Sequence, residues 1–178
     1  TAVMKANNIF LAETVLRMEE QKALAEKTFD QLTDEALHTI PTPGSNSIAQ
    51  LIQHLSGNMI SRWTHFLTED GEKPARNRDA EFENGYQSRE ALLQLWTDGW
   101  EVYLNTLKQL TDADLNKTVY IRSQPLSVIA AIVRQTTHYS YHVGQIVYLG
   151  KLLKGEGFRS LSIPQGASQQ YNQQLVHP

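Results

Sequence analysis

The chain has 178 residues, enough to bury a sizeable core, and we predict a single domain over residues 1–178 with its core in about residues 2–153. A net charge of −3 and a pI near 6.0 give no strong positive field that would favour nucleic acid or an anionic membrane surface as a partner. The absence of cysteine excludes disulfides, thiolate metal ligands, iron–sulfur clusters and cysteine nucleophiles. No apolar run reaches the roughly 18 residues that a membrane span needs. The absence of cysteine fits a reducing compartment, and we expect a cytoplasmic protein.

Apolar residues recur at helical spacing in four long segments, separated by polar connections that contain glycine or proline. The first helix is predicted over residues 2–32. A connection with two prolines, residues 39–44, leads to the second helix, predicted over residues 47–70. Ser47 and Gln50 have the spacing of a capping box at the start of that helix.

The second half of the chain continues the helical pattern after a long polar loop at residues 72–87, a length typical of loops with a function. The third helix begins near Ser88, and residues 118–122 predict an extended segment or small hairpin. The fourth helix is predicted over residues 126–153, and residues 154–178 form an irregular tail on the surface. Four helices with apolar faces predict an all-α four-helix bundle.

Two histidines have the spacing of metal ligands on a helix. His138 and His142 lie one turn apart on a largely apolar face of the fourth helix, so both imidazoles can reach one ion. Two imidazoles in an apolar interior are costly unless their nitrogens are satisfied. A shared ion would satisfy them, and so would hydrogen bonds to Tyr139, Tyr141 or a backbone carbonyl.

A third ligand has to come from another helix. His54 lies in the apolar stripe of the second helix, whereas His65 lies 11 residues further on, about 16 Å along the helix axis. Both cannot serve one ion, and His54 has the more apolar surroundings. We expect His65 to be a partly exposed residue that binds no metal, and His38 and His177 to be surface residues.

The sequence HYSYHVGQI at residues 138–146, with His54 placed 84 residues before His138, resembles the DinB/YfiT-like superfamily of metal-binding four-helix bundles. The resemblance extends over nearly the whole chain. It implies an up-down-down-up bundle in which His54, His138 and His142 hold one divalent ion in a site that opens into a pocket. Zinc or nickel is typical of such sites, iron and manganese are further candidates, and homodimers are common.

The resemblance also implies a range of functions. Some members transfer low-molecular-weight thiols or isomerise thiol adducts, others are regarded as metal-dependent hydrolases, and many have no known reaction. We therefore expect a metal-dependent enzyme with a small-molecule substrate, a thiol transferase or a hydrolase. A non-enzymatic metal-binding dimer in ligand sensing or stress response is the alternative, and a purely structural bundle is a third. An open coordination position at the base of a cleft would favour the enzyme.

Several residues near the histidines admit a functional and a structural interpretation. Gln145, three residues after His142, either supports the metal ligands or packs in the helix. Tyr139 and Tyr141 could donate protons near the pocket, but interior packing is the preferred interpretation. Core packing is expected of all three tryptophans: Trp63, Trp96 and Trp100.

Three arginines could form an anion-recognising rim at the predicted site: Arg62, Arg76 and Arg78. Acidic residues nearby offer ion pairs within the chain, and this pairing, or a dimer contact, is the preferred interpretation. The candidate partners are Glu69, Asp79, Glu81 and Glu83.

Overall fold

The structure, a computed structural model, describes residues 9–83 and 85–176, with only the backbone of Val176. This part of the chain is mostly helical and has a single small hairpin, so the all-α prediction is confirmed. None of its helices combines the length and apolar character needed to cross a membrane. The helices and strands are α1 (Ile9–Phe29), α2 (Asp34–His38), α3 (Ile48–Trp63), α4 (Arg89–Gln109), β1 (Thr118–Ile121), β2 (Gln124–Ser127), α5 (Val128–Lys154) and α6 (Ser168–Val176).

Side-chain caps fix the starts of the helices that carry the site. At α3 the predicted capping box is confirmed: the Ser47 hydroxyl accepts from the Gln50 amide, and the Gln50 side chain accepts from the Ser47 amide. Helices α4 and α5 begin with the serine caps Ser88 and Ser127. Helix α5 ends at Gly155, whose φ of +62° favours glycine.

The four long helices surround one hydrophobic core. Helix α3 makes its most extensive contacts with α4, and α1 makes its own with α5. The close approach of α3 and α4 depends on Gly99, because a Cβ there would lie 2.8 Å from the Cα of Ser56. All three tryptophans are at most 1% exposed, as expected of core residues: Trp63, Trp96 and Trp100.

The segment predicted as extended or hairpin is an antiparallel hairpin of β1 and β2, in which Ile121 pairs with Gln124. Arg122 and Ser123 form its turn with positive φ angles, as a two-residue hairpin turn requires. The Asp70 carboxylate accepts hydrogen bonds from both turn amides, at 2.9 and 2.7 Å. These bonds hold the hairpin against the chain that follows α3 and bring Arg122 towards the histidines.

Two helix ends differ from the prediction. Helix α3 stops at Trp63, not near residue 70, because the chain turns at His65, which has a φ of 50°. The turn is held by Ser61, whose hydroxyl donates to the carbonyl of Gly71 at 2.8 Å. The first helix, α1, ends at Phe29 and not at residue 32, and the separate short helix α2 follows. The predicted first residues of α1, residues 2–8, lie outside the described residues.

The tail also differs from the prediction of an irregular segment. Residues 168–176 form the helix α6, whose described side chains are all exposed. Its glutamines are good helix formers. The prediction used only the spacing of apolar residues and therefore did not register this preference.

Candidate metal centre

Three histidines meet between α3 and α5. His54 comes from the middle of α3, and His138 and His142 lie one turn apart on α5. His54 and His142 are buried, and His138 is half-buried. One ring nitrogen of each lies within 4.8 Å of the other two. The structure therefore brings together the three residues that the sequence singled out.

The spacing of the nitrogens fits a metal ion. The Nε2 atoms of His54 and His138 are 3.3 Å apart. Metal–nitrogen bonds of 2.0–2.1 Å at tetrahedral angles separate two donor nitrogens by about 3.3–3.4 Å. Imidazole nitrogens suit zinc, nickel and iron, so the donor set fits a divalent transition metal.

Hydrogen bonds orient two of the three rings. His54 donates from Nδ1 to the Glu81 carboxylate at 2.9 Å, and His142 donates from Nδ1 to the Gln145 side-chain oxygen at 2.7 Å. A proton held on Nδ1 leaves the Nε2 lone pair free to face the centre. Both rings are thus held in the tautomer that metal binding through Nε2 requires.

Glu81 lies on a short 3₁₀ helix, residues 79–82, that packs against α3. Arg76 binds its carboxylate with two hydrogen bonds, of 2.8 and 2.9 Å. Burial raises the pKa of Glu81, but the hydrogen bonds from His54 and Arg76 outweigh burial and hold this pKa below its ordinary value. The carboxylate packs so closely on Gly57 that a Cβ at that position would overlap with it. Glu81 is therefore an ionised, fixed acceptor for His54.

This role of Glu81 was not predicted from the sequence. Glu81 was expected only as an ion-pair partner of the arginines, a pairing that Arg76 makes. No periodicity marks the contact with His54, because the loop brings Glu81 back onto α3 from 27 residues away. The length of the loop was the only signal in the sequence.

Without a metal ion, the two histidines on α5 are uncharged at neutral pH. Burial, together with repulsion from His142 and His54 when these rings are protonated, lowers the pKa of His138 to about 3. Burial also lowers the pKa of His142 to about 4, against the opposing hydrogen bond to Gln145. Neutral imidazole is the form that binds a metal, so no proton has to leave these rings at neutral pH.

A cavity of about 660 Å³ opens over the three histidines. Its walls come from α3, the loop of residues 72–87 and α5. No carboxylate lines it among the described residues, but five arginines do: Arg62, Arg76, Arg78, Arg122 and Arg134. The histidine cluster therefore faces a polar, positively charged space of the size of a small-molecule site.

Both interpretations of the rim arginines describe part of the structure. Arg62 and Arg76 are paired within the chain and also line the cavity. The partner of Arg62 is Glu72, at 2.9 Å, which was not among the predicted partners. Arg78 lies 3.9 Å from Asp79 and stacks over the ring of Phe82.

The two tyrosines near the histidines have different surroundings. Tyr139 is fully buried, donates to Asn58 at 3.0 Å and accepts from Trp63 at 2.9 Å, so interior packing is confirmed for it. For Tyr141 the same expectation is wrong, because this residue is 54% exposed and lines the cavity. Tyr141 lies on the outer side of α5, away from the core.

The remaining histidines lie away from the centre. His65 is exposed at the turn after α3, as expected. His38 is half-buried in α2, not free on the surface, because its ring stacks on Tyr86 and bonds to the Gln87 carbonyl. His177 lies outside the described residues.

Replacing Glu81 by glutamine should weaken metal binding by about 10- to 100-fold, because His54 loses an ionised acceptor and its fixed orientation. Competition with a chromophoric chelator measures this affinity. Glu83→Gln is the matched control, since Glu83 is exposed in the same loop. Equal affinities for the two variants would contradict the role given to Glu81.

Comparisons with known proteins support the fold and leave the chemistry open. The model of a family described as "Protein of unknown function (DUF1572)" matches residues 5–167. The crystal structure of the conserved protein of locus from Enterococcus faecalis superposes with a TM-score of 0.61, covering 83% of this chain and 96% of that chain. At 17% sequence identity this likeness concerns the fold alone. No curated protein matches the sequence.

Proposed function

This chain belongs to the DUF1572 family, and we propose that it is a metal-dependent enzyme with a small-molecule substrate. The ion would be held by His54, His138 and His142. Low-molecular-weight thiol transfer is the favoured reaction, and hydrolysis is the second. The observation that carries the proposal is a three-histidine donor set at the base of an open cavity, with His54 and His142 held in the metal-binding tautomer.

The proposal includes a fold assignment. We assign the four long helices to the DinB/YfiT type of four-helix bundle, as one domain over residues 1–178. The placement of His54 on α3, facing the pair on α5, supports this assignment. So does the Gln145 contact to His142, because both residues belong to the sequence on which the resemblance depends.

The donor set supports an ion with open coordination positions. Among residues 9–83 and 85–176, the cluster contains three ligands and no fourth. Structural zinc sites are closed by four protein ligands, whereas catalytic sites keep a position for substrate. When bound, zinc, nickel, iron or manganese would supply Lewis-acid catalysis and stabilise negative charge on a substrate atom.

The open cavity favours an enzyme over the alternative of a non-enzymatic metal-binding dimer. A thiol that enters it meets five guanidinium groups and no lining carboxylate in the described part of the chain. Positive charge favours the thiolate over the thiol, and the thiolate is the nucleophile in thiol transfer. The lowered pKa values of His138 and His142 keep these two rings unprotonated at neutral pH and therefore available to an ion.

An activity assay tests the proposed reaction. Protein loaded with zinc or nickel should couple glutathione, bacillithiol or mycothiol to an aryl chloride, with release of chloride and a proton. His142→Ala should reduce the rate to that of the metal-free protein, because the ion is lost. Aryl esters test hydrolysis in the same way. If metal-loaded wild-type protein is no faster than His142→Ala with all three thiols and with aryl esters, the proposed enzyme is contradicted.

We also propose a homodimer. Four large apolar side chains of α5 that do not line the cavity are 37–70% exposed: Ile129, Val133, Tyr148 and Leu152. A stripe of this length is typical of an interface with another helix. Light scattering should give twice the 20.2 kDa mass of the chain. The double variant Tyr148→Glu/Leu152→Glu should dissociate the dimer. Tyr120→Glu, on the hairpin, is the control and should leave the dimer intact. A wild-type mass near 20.2 kDa would contradict the dimer.

A further inference from the structure

Helix α5 presents two rows of side chains to the cavity. The inner row consists of Gln135, His138 and His142, and the outer row of Arg134, Thr137 and Tyr141. Within each row, neighbouring residues are three or four positions apart and therefore share a face of the helix. The proposed metal ligands occupy the deeper row, and the first residue of each row has no role in the proposed metal site.

Gln135 is the unexplained residue of the inner row. Its side chain is only 3% exposed, and its Oε1 atom is buried without a hydrogen-bond partner within the described chain. A buried amide without a partner is costly, and native proteins rarely keep one unless a ligand or solvent satisfies it. Gln135 lines the cavity one turn from His138, so a turn of its side chain brings the unpaired Oε1 atom to a molecule bound beside the proposed ion.

The charges at the cavity are unbalanced. Glu72 and Glu81 lie behind the lining residues and pair with Arg62, Arg76 and Arg122. Within residues 9–83 and 85–176, the two remaining arginines lack a close ion pair. Arg134 has none, and Arg78 has only the 3.9 Å contact to Asp79, whose side chain is 96% exposed.

We propose that the cavity binds a substrate that carries a carboxylate or phosphate group. The anionic group contacts Arg78 from the loop and Arg134 from α5, and a hydroxyl or amine group of the same molecule donates to Gln135 Oε1. Guanidinium groups are suited to both anions because they donate parallel hydrogen bonds. A cavity of about 660 Å³ holds a small molecule of this kind.

The inference specifies the substrate class of the proposed enzyme and rests on that function. It can nevertheless be tested without the ion. Metal-free protein, dialysed to remove the chelator, is titrated with succinate, methyl phosphate or uncharged dimethyl succinate in a calorimeter. We expect succinate or methyl phosphate to bind and dimethyl succinate not to bind. The tighter of the two anions identifies the group that the site prefers.

Single variants locate the binding site. Arg78→Gln and Arg134→Gln should each weaken binding of the preferred anion by about tenfold, as expected for the loss of a charge-assisted hydrogen bond. Gln135→Leu should weaken binding of malate, whose hydroxyl group can donate to Gln135 Oε1, more than binding of succinate, which lacks that hydroxyl, while leaving metal content unchanged. Lys151→Gln is the matched control, because Lys151 is an exposed cation on α5 outside this cavity.

Three results would overturn the inference: absence of anion binding, binding of dimethyl succinate as tight as that of succinate, or an equal loss in Arg134→Gln and Lys151→Gln. The failure of the proposed function has a different signature. Wild-type protein that binds metal but no anion refutes only the anion site. Protein that binds the anions through Arg78 and Arg134 but takes up no metal refutes only the metal-dependent enzyme.

Discussion

His142→Ala should lose the metal ion that the wild-type protein retains, about one per chain when three histidine ligands from two helices form the site. His142 supplies one of three donor nitrogens, and two remaining imidazoles on different helices cannot close the site. Gln145 holds this ring in the tautomer that binds a metal through Nε2, so alanine removes an oriented ligand. Elemental analysis of protein purified without chelator or a nickel column measures the effect.

The control for this experiment is His65→Ala. His65 is exposed at the turn after α3, away from the cluster, and its loss should leave the metal content unchanged. His54→Ala should behave like His142→Ala, because α3 contributes no other ligand to the described cluster. Equal metal content in the His142 and His65 variants would refute the ligand assignment.

The parts of the site that follow from local sequence could be predicted. The pair His138 and His142 is visible because residues four apart always share a helix face. The capping box of Ser47 and Gln50 is equally local and fixed the start of α3 correctly. His54 could be chosen over His65 because it lies in the apolar stripe of its helix, whereas His65 lies beside the polar loop.

The parts that depend on tertiary contacts could not be predicted. Helix α3 ends at Trp63 because Ser61 and Arg62 bond to the carbonyl of Gly71, a contact formed only when the chain folds back. Glu81 also reaches His54 only when the chain folds back onto α3, and the loop on which it lies has no periodic pattern that would predict this contact. Tyr141 was expected in the interior but lines the cavity. The cavity forms only when α3, the loop and α5 come together, so the apolar pattern of one helix does not reveal it.

Removing the metal should lower the melting temperature at pH 8. A ligand that binds only the folded state stabilises it by mass action, by about 2.7 kcal/mol at a free concentration one hundred times its Kd. For a chain of this length this corresponds to about 5–10 °C. The metal-free protein should stay folded, because the aromatic core around Trp96 and Trp100 does not involve the histidines.

The metal-free protein should also be less stable at pH 5.5 than at pH 8. The pKa values of His138 and His142 are lowered to about 3 and 4 in the folded state, from about 6.5 in the unfolded chain. Between these values the unfolded chain binds more protons than the folded one, so stability falls as the pH falls. The slope is at most about 1.4 kcal/mol per pH unit for each histidine. The loss begins near pH 6.5 and continues towards pH 4.

Thermal melts with and without chelator at both pH values measure the two effects together. The variant His138→Gln/His142→Gln is the matched control, because it lacks both titrating rings and should show neither the chelator effect nor the additional loss at pH 5.5. If verified metal removal at pH 8 leaves the wild-type melting temperature unchanged, the histidines do not link α3 to α5 through an ion. The metal-dependent enzyme would then be refuted as well, since its catalysis depends on that ion.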